Sequence, residues 1–322
     1  MSGHSGTTSG HEANKRIGLG IALMLIGTGV FVSMDALVKH LTLSGYSTIQ
    51  ILFFRSLFAF VPVSLFISMN GGFSTLKTKR PLGHVMRAAI GLSAMGVIFW
   101  AFHTLPISEI VAIMFAAPIF MTVLSIPLLG ERVGIRRWIA VIVGFSGVLV
   151  IVRPDAGLDM TQLIVIGGTV LYALAMILVR RLSDTEPSAT IVFFFTVAGT
   201  LMMAVLLPFG WSTPGSALDW GLLIAVGLVG GSAQLLITYA IRSAPISVLA
   251  PFEYSALLWA TGFDILIFGL YPSSGTLWGA GIIAATGLYI VHRETTLGTR
   301  QKTGVRLART RVASAERPEQ SS

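Results

Sequence analysis

The sequence is short of charge and contains no cysteine. Of its 322 residues only 11% are Asp, Glu, Lys or Arg, less than half of the roughly 25% that is usual in soluble domains. So few charges cannot cover a water-facing surface, which excludes a soluble enzyme, a nucleic-acid-binding module and a disordered chain. The absence of cysteine also excludes a disulfide-stapled secreted domain.

The common motifs of catalysis are missing too. There is no His-Glu-x-x-His, Gly-x-Ser-x-Gly or Walker motif, the patterns of zinc proteases, serine hydrolases and nucleotide-driven pumps. The six histidines are scattered over the tails and the predicted helix ends. We therefore expect a protein that is not an enzyme, with no catalytic residue, no metal site and no cofactor.

Long apolar runs are abundant. The chain is 54% hydrophobic, its mean hydropathy is +0.81, and a helix needs about 20 mostly apolar residues to cross a bilayer. Ten such runs predict an all-α membrane protein with ten transmembrane helices, and residues 1–14 and 294–322 are predicted to be disordered tails. The runs are 17–38, 48–69, 84–103, 107–129, 136–152, 161–180, 189–208, 219–241, 247–270 and 275–292.

The basic residues predict an orientation. With the N-terminus in the cytoplasm, nineteen of the 22 Lys and Arg residues, Arg87 among them, fall on the cytoplasmic side. Only Lys39 and Arg153 fall outside, and Arg55 lies within helix 2. Because cytoplasmic loops of membrane proteins are rich in Lys and Arg, both termini are predicted to be cytoplasmic. This placement explains the net charge of +8 without nucleic acid as a partner.

An internal repeat divides the chain in two. Residues 91–108 match residues 230–247 at eight of eighteen positions with an offset of 139, and the offset holds to Gly130 and Gly269. We therefore predict two five-helix repeats, 15–153 and 154–293. Because five is odd, the second repeat enters the membrane from the opposite side. Inverted repeats recur in secondary transporters, whose substrate site lies between the halves, although a scaffold or a channel is the alternative.

The chain resembles the ten-helix EamA-type members of the drug/metabolite transporter superfamily, over residues 15–294. The resemblance is carried by four motifs and one longer stretch: Asp35-Ala36-Leu37-Val38-Lys39, Phe53-Phe54-Arg55, Ala116-Ala117-Pro118, Leu129-Gly130-Glu131-Arg132, and Gly144–Gly147 leading to Val152-Arg153-Pro154. The second half departs from the pattern, since Leu270 and Tyr271 follow Gly269.

This resemblance implies eight core helices around a central cavity, with helices 5 and 10 to one side, where they serve homodimer contact. It implies a multi-pass protein of the bacterial inner membrane whose partners are the bilayer and a small-molecule substrate. The motifs of helices 1 and 2 look most like the branch of riboflavin and S-adenosylmethionine importers. Riboflavin uptake is the favoured function; S-adenosylmethionine uptake and efflux of amino acids or drug-like metabolites are the alternatives, and a membrane-embedded enzyme or a scaffold is a different class.

Charged residues at membrane depth cost roughly 2.5–3.5 kcal/mol each and are therefore candidate functional residues. Arg55 in helix 2 suits a substrate phosphate, carboxylate or carbonyl edge, or a structural pair with Asp35. Asp35 and Lys39 stand at i and i+4, which predicts a local pair on one helix face. Glu109 is predicted to favour the N-terminus of helix 4, with Ser108 as its cap.

Helix 9 carries two acidic residues, Glu253 and Asp264. In one continuous helix, eleven residues leave them about 20° apart around the axis. They are therefore predicted to share a face that lines a polar cavity, where one of them is a candidate for proton exchange; a structural acid is the alternative.

Aromatic and polar residues complete the candidate substrate site. Aromatic faces suit stacking on a flat ring, although packing and interface belts are the alternative. Gln234 is a candidate hydrogen-bonding group, with contact between helices as its alternative. The candidates in this group are Trp100, Phe115, Gln234, Tyr239 and Tyr254.

Overall fold

The computed structural model describes residues 5–69, 72–73, 76–130, 135–152, 159–244 and 246–289. In these residues every regular element is helical, and no strand occurs. The α-helices are α1 (Ser5–Leu43), α2 (Thr48–Met69), α3 (Pro81–Ala101), α4 (Ile107–Met114), α5 (Ala117–Leu129), α6 (Ile135–Val152), α7 (Met160–Ser183), α8 (Ser188–Leu206), α9 (Ala217–Ser243), α10 (Ile246–Glu253), α11 (Ser255–Phe268) and α12 (274–289).

Seven helical segments of the described chain are long and apolar enough to cross a membrane. They are Arg16–Leu43, Thr48–Met69, Pro81–Ala101, Ile107–Leu129, Met160–Ser183, Ser188–Phe209 and Ala217–Ser243. Trp138–Val152 is a shorter apolar helix. The chain is therefore an all-helical membrane protein.

Two of the predicted helices are broken. The run 107–129 divides into α4 and α5 around Phe115 and Ala116, and the run 247–270 divides into α10 and α11 at Tyr254. Pro118 lies in the first turn of α5 and has no N–H to donate to the carbonyl four residues earlier. A helix accepts proline most easily at such a start, so the first break has a local cause.

The breaks at Phe115 and Tyr254 face each other. Their rings make an edge-to-face contact with centroids 4.7 Å apart. Both broken helices also end alike, since Gly130 and Gly269 adopt left-handed φ values of 67° and 64°, which glycine tolerates because it has no Cβ.

The structure describes part of the predicted N-terminal tail but none of the predicted C-terminal tail. Residues 5–14 belong to α1, where we expected part of a disordered tail. Extending an existing helix costs little compared with nucleating one, so the apolar segment that follows supports these polar turns. The second predicted tail, 294–322, lies outside the described residues.

The principal contacts join the first half of the chain to the second. α1 and α2 pack against α9, α2 also packs against α8, and α3 packs against α7. The largest core cluster accordingly draws on both halves, with Met34, Ile51 and Phe99 from one and Val165 and Leu223 from the other. The centre of the molecule is therefore an interface between the halves.

The packing of α6 against α12 depends on glycine. A Cβ at Gly147 would lie 2.9 Å from the carbonyl oxygen of Gly279 and 2.8 Å from Ile283. We expect Gly147→Ala to lower the free energy of unfolding by about 1–3 kcal/mol, because the two backbones must separate. Denaturant unfolding in detergent checks this. Gly281→Ala is the control, since nothing lies within 4 Å of that position; equal effects would contradict the close-packing account.

Glu186 links the α7–α8 turn to the segment before α3. Its carboxylate accepts hydrogen bonds from the Lys79 N–H (2.9 Å) and the Thr78 hydroxyl (3.0 Å), and lies 4.0 Å from His84. Burial by itself would raise the pKa of Glu186, but these hydrogen bonds and nearby positive charge outweigh it and hold the pKa below its ordinary 4.5. The charged carboxylate is therefore the form that the fold favours.

This link makes stability depend on pH in one direction. Because the folded pKa is lowered, the contribution of Glu186 is present above about pH 4.5 and is lost as the pH falls through the folded value. We expect Glu186→Gln to cost about 1 kcal/mol at pH 7 and less at pH 3. Thermal unfolding at both pH values measures this difference. The control Asp184→Asn, at an exposed position two residues away, should have no effect at either pH; an unchanged Glu186→Gln deficit at pH 3 would refute the assignment.

Candidate functional site

Arg55 and Asp35 lie together inside the bundle. Arg55 on α2 is 6% exposed and Asp35 on α1 is 7% exposed, and the two charges interact electrostatically. Since removing a charge from water is expensive, their proximity reduces the cost of burying both. Even so, the Arg55 Nε has no hydrogen-bond partner among the described residues.

A second arginine, Arg87 on α3, reaches the same region. Its Cζ lies 3.7 Å from the centroid of the Phe195 ring, and the Arg55 Cζ lies 5.7 Å from the same centroid. The Arg87 Nε and Nη1 are buried and lack hydrogen-bond partners within the described part of the chain. Three helices, α2, α3 and α8, thus bring two guanidinium groups to one aromatic ring.

The charged neighbourhood extends to α7 and α10. The Tyr172 hydroxyl lies within electrostatic range of both Arg87 and Glu253. Glu253 is the last residue of α10, next to the break at Tyr254, and is exposed. Asp35, Arg55, Arg87, Tyr172 and Glu253 therefore form one polar region, which draws its residues from both halves of the chain.

Lys39 does not pair with Asp35 as predicted. Its Nζ lies 3.6 Å from Asp264 Oδ1 and donates to the Leu105 carbonyl at 2.9 Å. Asp264 is fully buried and accepts hydrogen bonds from the backbone N–H groups of Ile107 (3.0 Å) and Ser108 (2.7 Å). Tertiary packing thus overrides the local i, i+4 pairing.

The prediction that Glu253 and Asp264 share a helix face assumed one continuous helix, which the structure does not show. The break at Tyr254 places them on separate helices, α10 and α11, so the angle for a continuous helix does not apply. Asp264 takes a structural position at the N-terminus of α4, whereas Glu253 lies within electrostatic range of Tyr172.

The predicted cap of α4 differs as well. The Ser108 side chain accepts no capping hydrogen bond, and its buried hydroxyl has no hydrogen-bond partner among the described residues. Glu109 instead accepts a hydrogen bond from Gln162 on α7. The cap comes from Asp264 on a distant helix because four N–H groups at a helix start need acceptors.

The remaining candidates are dispersed. Phe115 and Tyr254 meet at the helix breaks, whereas Tyr239 packs against Phe66 in a separate apolar cluster. Trp100 is 46% exposed, and Gln234 is half-buried on α9.

Sequence reasoning missed Arg87, Phe195 and Tyr172. Arg87 was counted with the cytoplasmic cations although it lies within the predicted run 84–103. The rule applied to Arg55, that a charge inside a span is a candidate functional residue, would have found it. Phe195 and Tyr172 carried no comparable signal.

A metal site and an apolar groove are the two alternatives to the polar region. No group of three or more His, Asp or Glu residues able to hold a metal occurs in the described residues. A groove of about 430 Å³ lies between α6 and α12 and is lined almost entirely by apolar side chains. It offers few groups to orient a polar solute, so the polar region around Arg55 and Arg87 is the stronger candidate.

The family of this chain follows from its sequence. The model of the EamA-like transporter family matches residues 18–153 and again residues 160–292. The chain belongs to the EamA-like transporter family. Its family is thus one of small-molecule transporters of the drug/metabolite transporter superfamily, as the sequence motifs indicated.

Individual relatives of this EamA-like protein are transporters by name. It is 26% identical to a riboflavin transporter of Vibrio cholerae over 87% of this chain and 96% of the relative. It is 25% identical to an S-adenosylmethionine uptake transporter of Rickettsia bellii over 88% and 97%. It is also 26% identical to a pseudopaline exporter of Pseudomonas aeruginosa over 82% and 93%.

A solved crystal structure has the same fold. It superposes with a TM-score of 0.57 at 18% identity and covers 84% of this chain and 98% of its own. Together, the family and the apolar helices establish a multi-pass membrane transporter of a small metabolite.

Proposed function

We propose that this EamA-like protein is a secondary transporter that carries a small metabolite into the cell by alternating access. The observation that carries the proposal is the pair of guanidinium groups, of buried Arg55 and half-buried Arg87, at Phe195 where the two halves of the chain meet. Charge at that depth is costly unless it serves a solute pathway. The role is transport rather than catalysis.

Ten transmembrane helices in two inverted repeats are part of the proposal. The family model matches the chain twice, at 18–153 and 160–292, and the helix breaks at Phe115 and Tyr254 lie 139 residues apart, the offset of the sequence repeat. We count α6, α10 with α11, and α12 as the three spans beyond the seven apolar segments. Broken helices at the repeat interface are typical of transporters that alternate between two open states.

The proposed orientation places both termini in the cytoplasm of a bacterial cell. The basic residues near the α2–α3 and α7–α8 connections support it, because positive charge stays on the cytoplasmic side. The loop after α1 and the α8–α9 connection then lie outside. A homodimer through α6 and α12 is also proposed, since Ile135 and Trp278 there are each 75% exposed.

Riboflavin is the first substrate to test. The relative of that name supports it, and Phe195 offers an aromatic face near the polar groups. S-adenosylmethionine is the second candidate, because its carboxylate suits a guanidinium group. Glu253, an acid within electrostatic range of Tyr172 in the polar region, is the candidate for coupling transport to protons.

The test is uptake by intact cells that express the protein. Labelled riboflavin and labelled S-adenosylmethionine are supplied to separate cultures, and each is compared with an empty-vector control. We expect accumulation of at least one of the two above the control, and loss of accumulation in Arg55→Ala.

Proton coupling is tested in the same cells. We expect a protonophore, and independently Glu253→Gln, to abolish accumulation while equilibration persists. If neither substrate enters faster than in the control, the uptake proposal is wrong. If accumulation survives the protonophore, protons do not drive it.

A further inference from the structure

We propose that Arg55, Arg87 and Phe195, here called the arginine site, bind an anionic group, a carboxylate or a phosphate, of the transported solute. This inference rests on the proposed transport function and decides between its two substrates. Nothing in the family match assigns these residues a role.

The arginine site has unused hydrogen-bond donors. The Nε of Arg55 and the Nε and Nη1 of Arg87 are buried without partners in the described residues. A guanidinium group keeps its charge in proteins and presents five N–H donors in a fixed fork. A buried donor without a partner is destabilising, and more so when it is charged, so an acceptor bound at these atoms is strongly favoured.

The charges at the arginine site are not balanced. Arg55 interacts with Asp35, whereas Arg87 makes no close ion pair with a carboxylate of the described residues. The two guanidinium groups also repel each other. A bound anion removes that repulsion and supplies the countercharge that Arg87 lacks.

Phe195 holds one face of the Arg87 guanidinium. A Cζ 3.7 Å from the ring centroid is at contact distance, where a cation is attracted to the ring. Because the ring covers one face of the guanidinium, its hydrogen bonds form at the edges. Arginine binds carboxylates and phosphates in this way, through two parallel hydrogen bonds.

This chemistry favours one candidate substrate over the other. S-adenosylmethionine carries a carboxylate, whereas riboflavin carries no ionised group near neutral pH. A phosphate group is the other source of suitable charge, and flavin mononucleotide is riboflavin with one phosphate group added. Two matched pairs of solutes therefore isolate the anionic group: S-adenosylmethionine against its decarboxylated form, and flavin mononucleotide against riboflavin.

The experiment measures binding and uptake with the full-length protein. Binding is measured as a rise in unfolding temperature in detergent, and uptake in proteoliposomes, with all four solutes. We expect binding and uptake only for the anionic member of a pair. Arg87→Gln should weaken its binding about 10- to 100-fold, the loss of one charge-assisted hydrogen bond or two, and Arg87→Lys should recover part of it. Arg80→Gln, at an exposed arginine just before α3, should have no effect.

The outcomes separate the two proposals. If wild-type protein binds the uncharged member of each pair as tightly as the anionic one, or if it binds none of the four, the anion site is refuted. If anionic solutes bind through Arg87 but none is taken up, the site stands and the transport proposal fails. The wild-type comparison of solute pairs does not depend on whether Arg87→Gln folds.

Discussion

Asp264→Ala is expected to lower the free energy of unfolding by about 3–5 kcal/mol, the usual cost of breaking a buried ion pair by removing one partner. The variant leaves the Lys39 ammonium, 3% exposed, without its countercharge. It also leaves the N–H groups of Ile107 and Ser108 without acceptors at the start of α4. Denaturant unfolding in detergent, followed by the fluorescence of the six tryptophans, measures the effect.

Two variants separate the charge from the helix cap. Lys39→Met/Asp264→Leu removes both charges and leaves only uncharged backbone groups without their partners, the N–H groups at the start of α4 and the Leu105 carbonyl. It should therefore cost about 1–3 kcal/mol. Asp219→Ala removes an aspartate from the exposed capping box at the start of α9 and should cost about 1 kcal/mol. If Asp264→Ala costs no more than Asp219→Ala, the account of a buried pair is wrong.

Arg55→Leu is expected to abolish uptake and to lower the free energy of unfolding by about 3 kcal/mol or more. The stability loss arises because the Asp35 carboxylate, 7% exposed, remains buried without a nearby cation. The transport loss arises because the arginine site loses one of its two cations. Initial rates of uptake in proteoliposomes and unfolding in detergent are the two measurements.

A double variant distinguishes a binding role from a structural one. Asp35→Asn/Arg55→Leu removes both charges, so most of the stability should return. Uptake should remain absent, because the solute still lacks its partner on α2. Recovery of uptake together with stability would show that Arg55 serves only to balance Asp35.

The sequence was sufficient for the positions of the apolar helices but not for their interruptions. The length of an apolar run predicts the length of a membrane-embedded segment. Runs such as 48–69 coincide with helices in the structure. The same run carries no information on where the backbone hydrogen bonds break. Pro118 was a usable signal for the first break. Pro251, three residues before Tyr254 in α10, was a signal near the second.

The sequence could predict those site residues whose type is unusual for their position in a span. Arg55 was found because a charge in a span is conspicuous, and Arg87 was overlooked because it lies near a span end with other cations. The partner of Lys39 was beyond sequence reasoning, since the choice between Asp35 and Asp264 depends on how α11 packs against α4. Contacts between distant helices fix the chemistry of this centre.

Counterflow in proteoliposomes tests the central claim, that the chain exchanges one small metabolite across the membrane by alternating access. Purified protein is reconstituted into vesicles preloaded with unlabelled S-adenosylmethionine, or riboflavin in a parallel sample, and diluted into a trace of labelled solute. The account predicts that label rises transiently above its equilibrium level in wild-type vesicles and does not rise with Arg55→Leu. Label that only approaches equilibrium, at a rate independent of the solute inside, would contradict it.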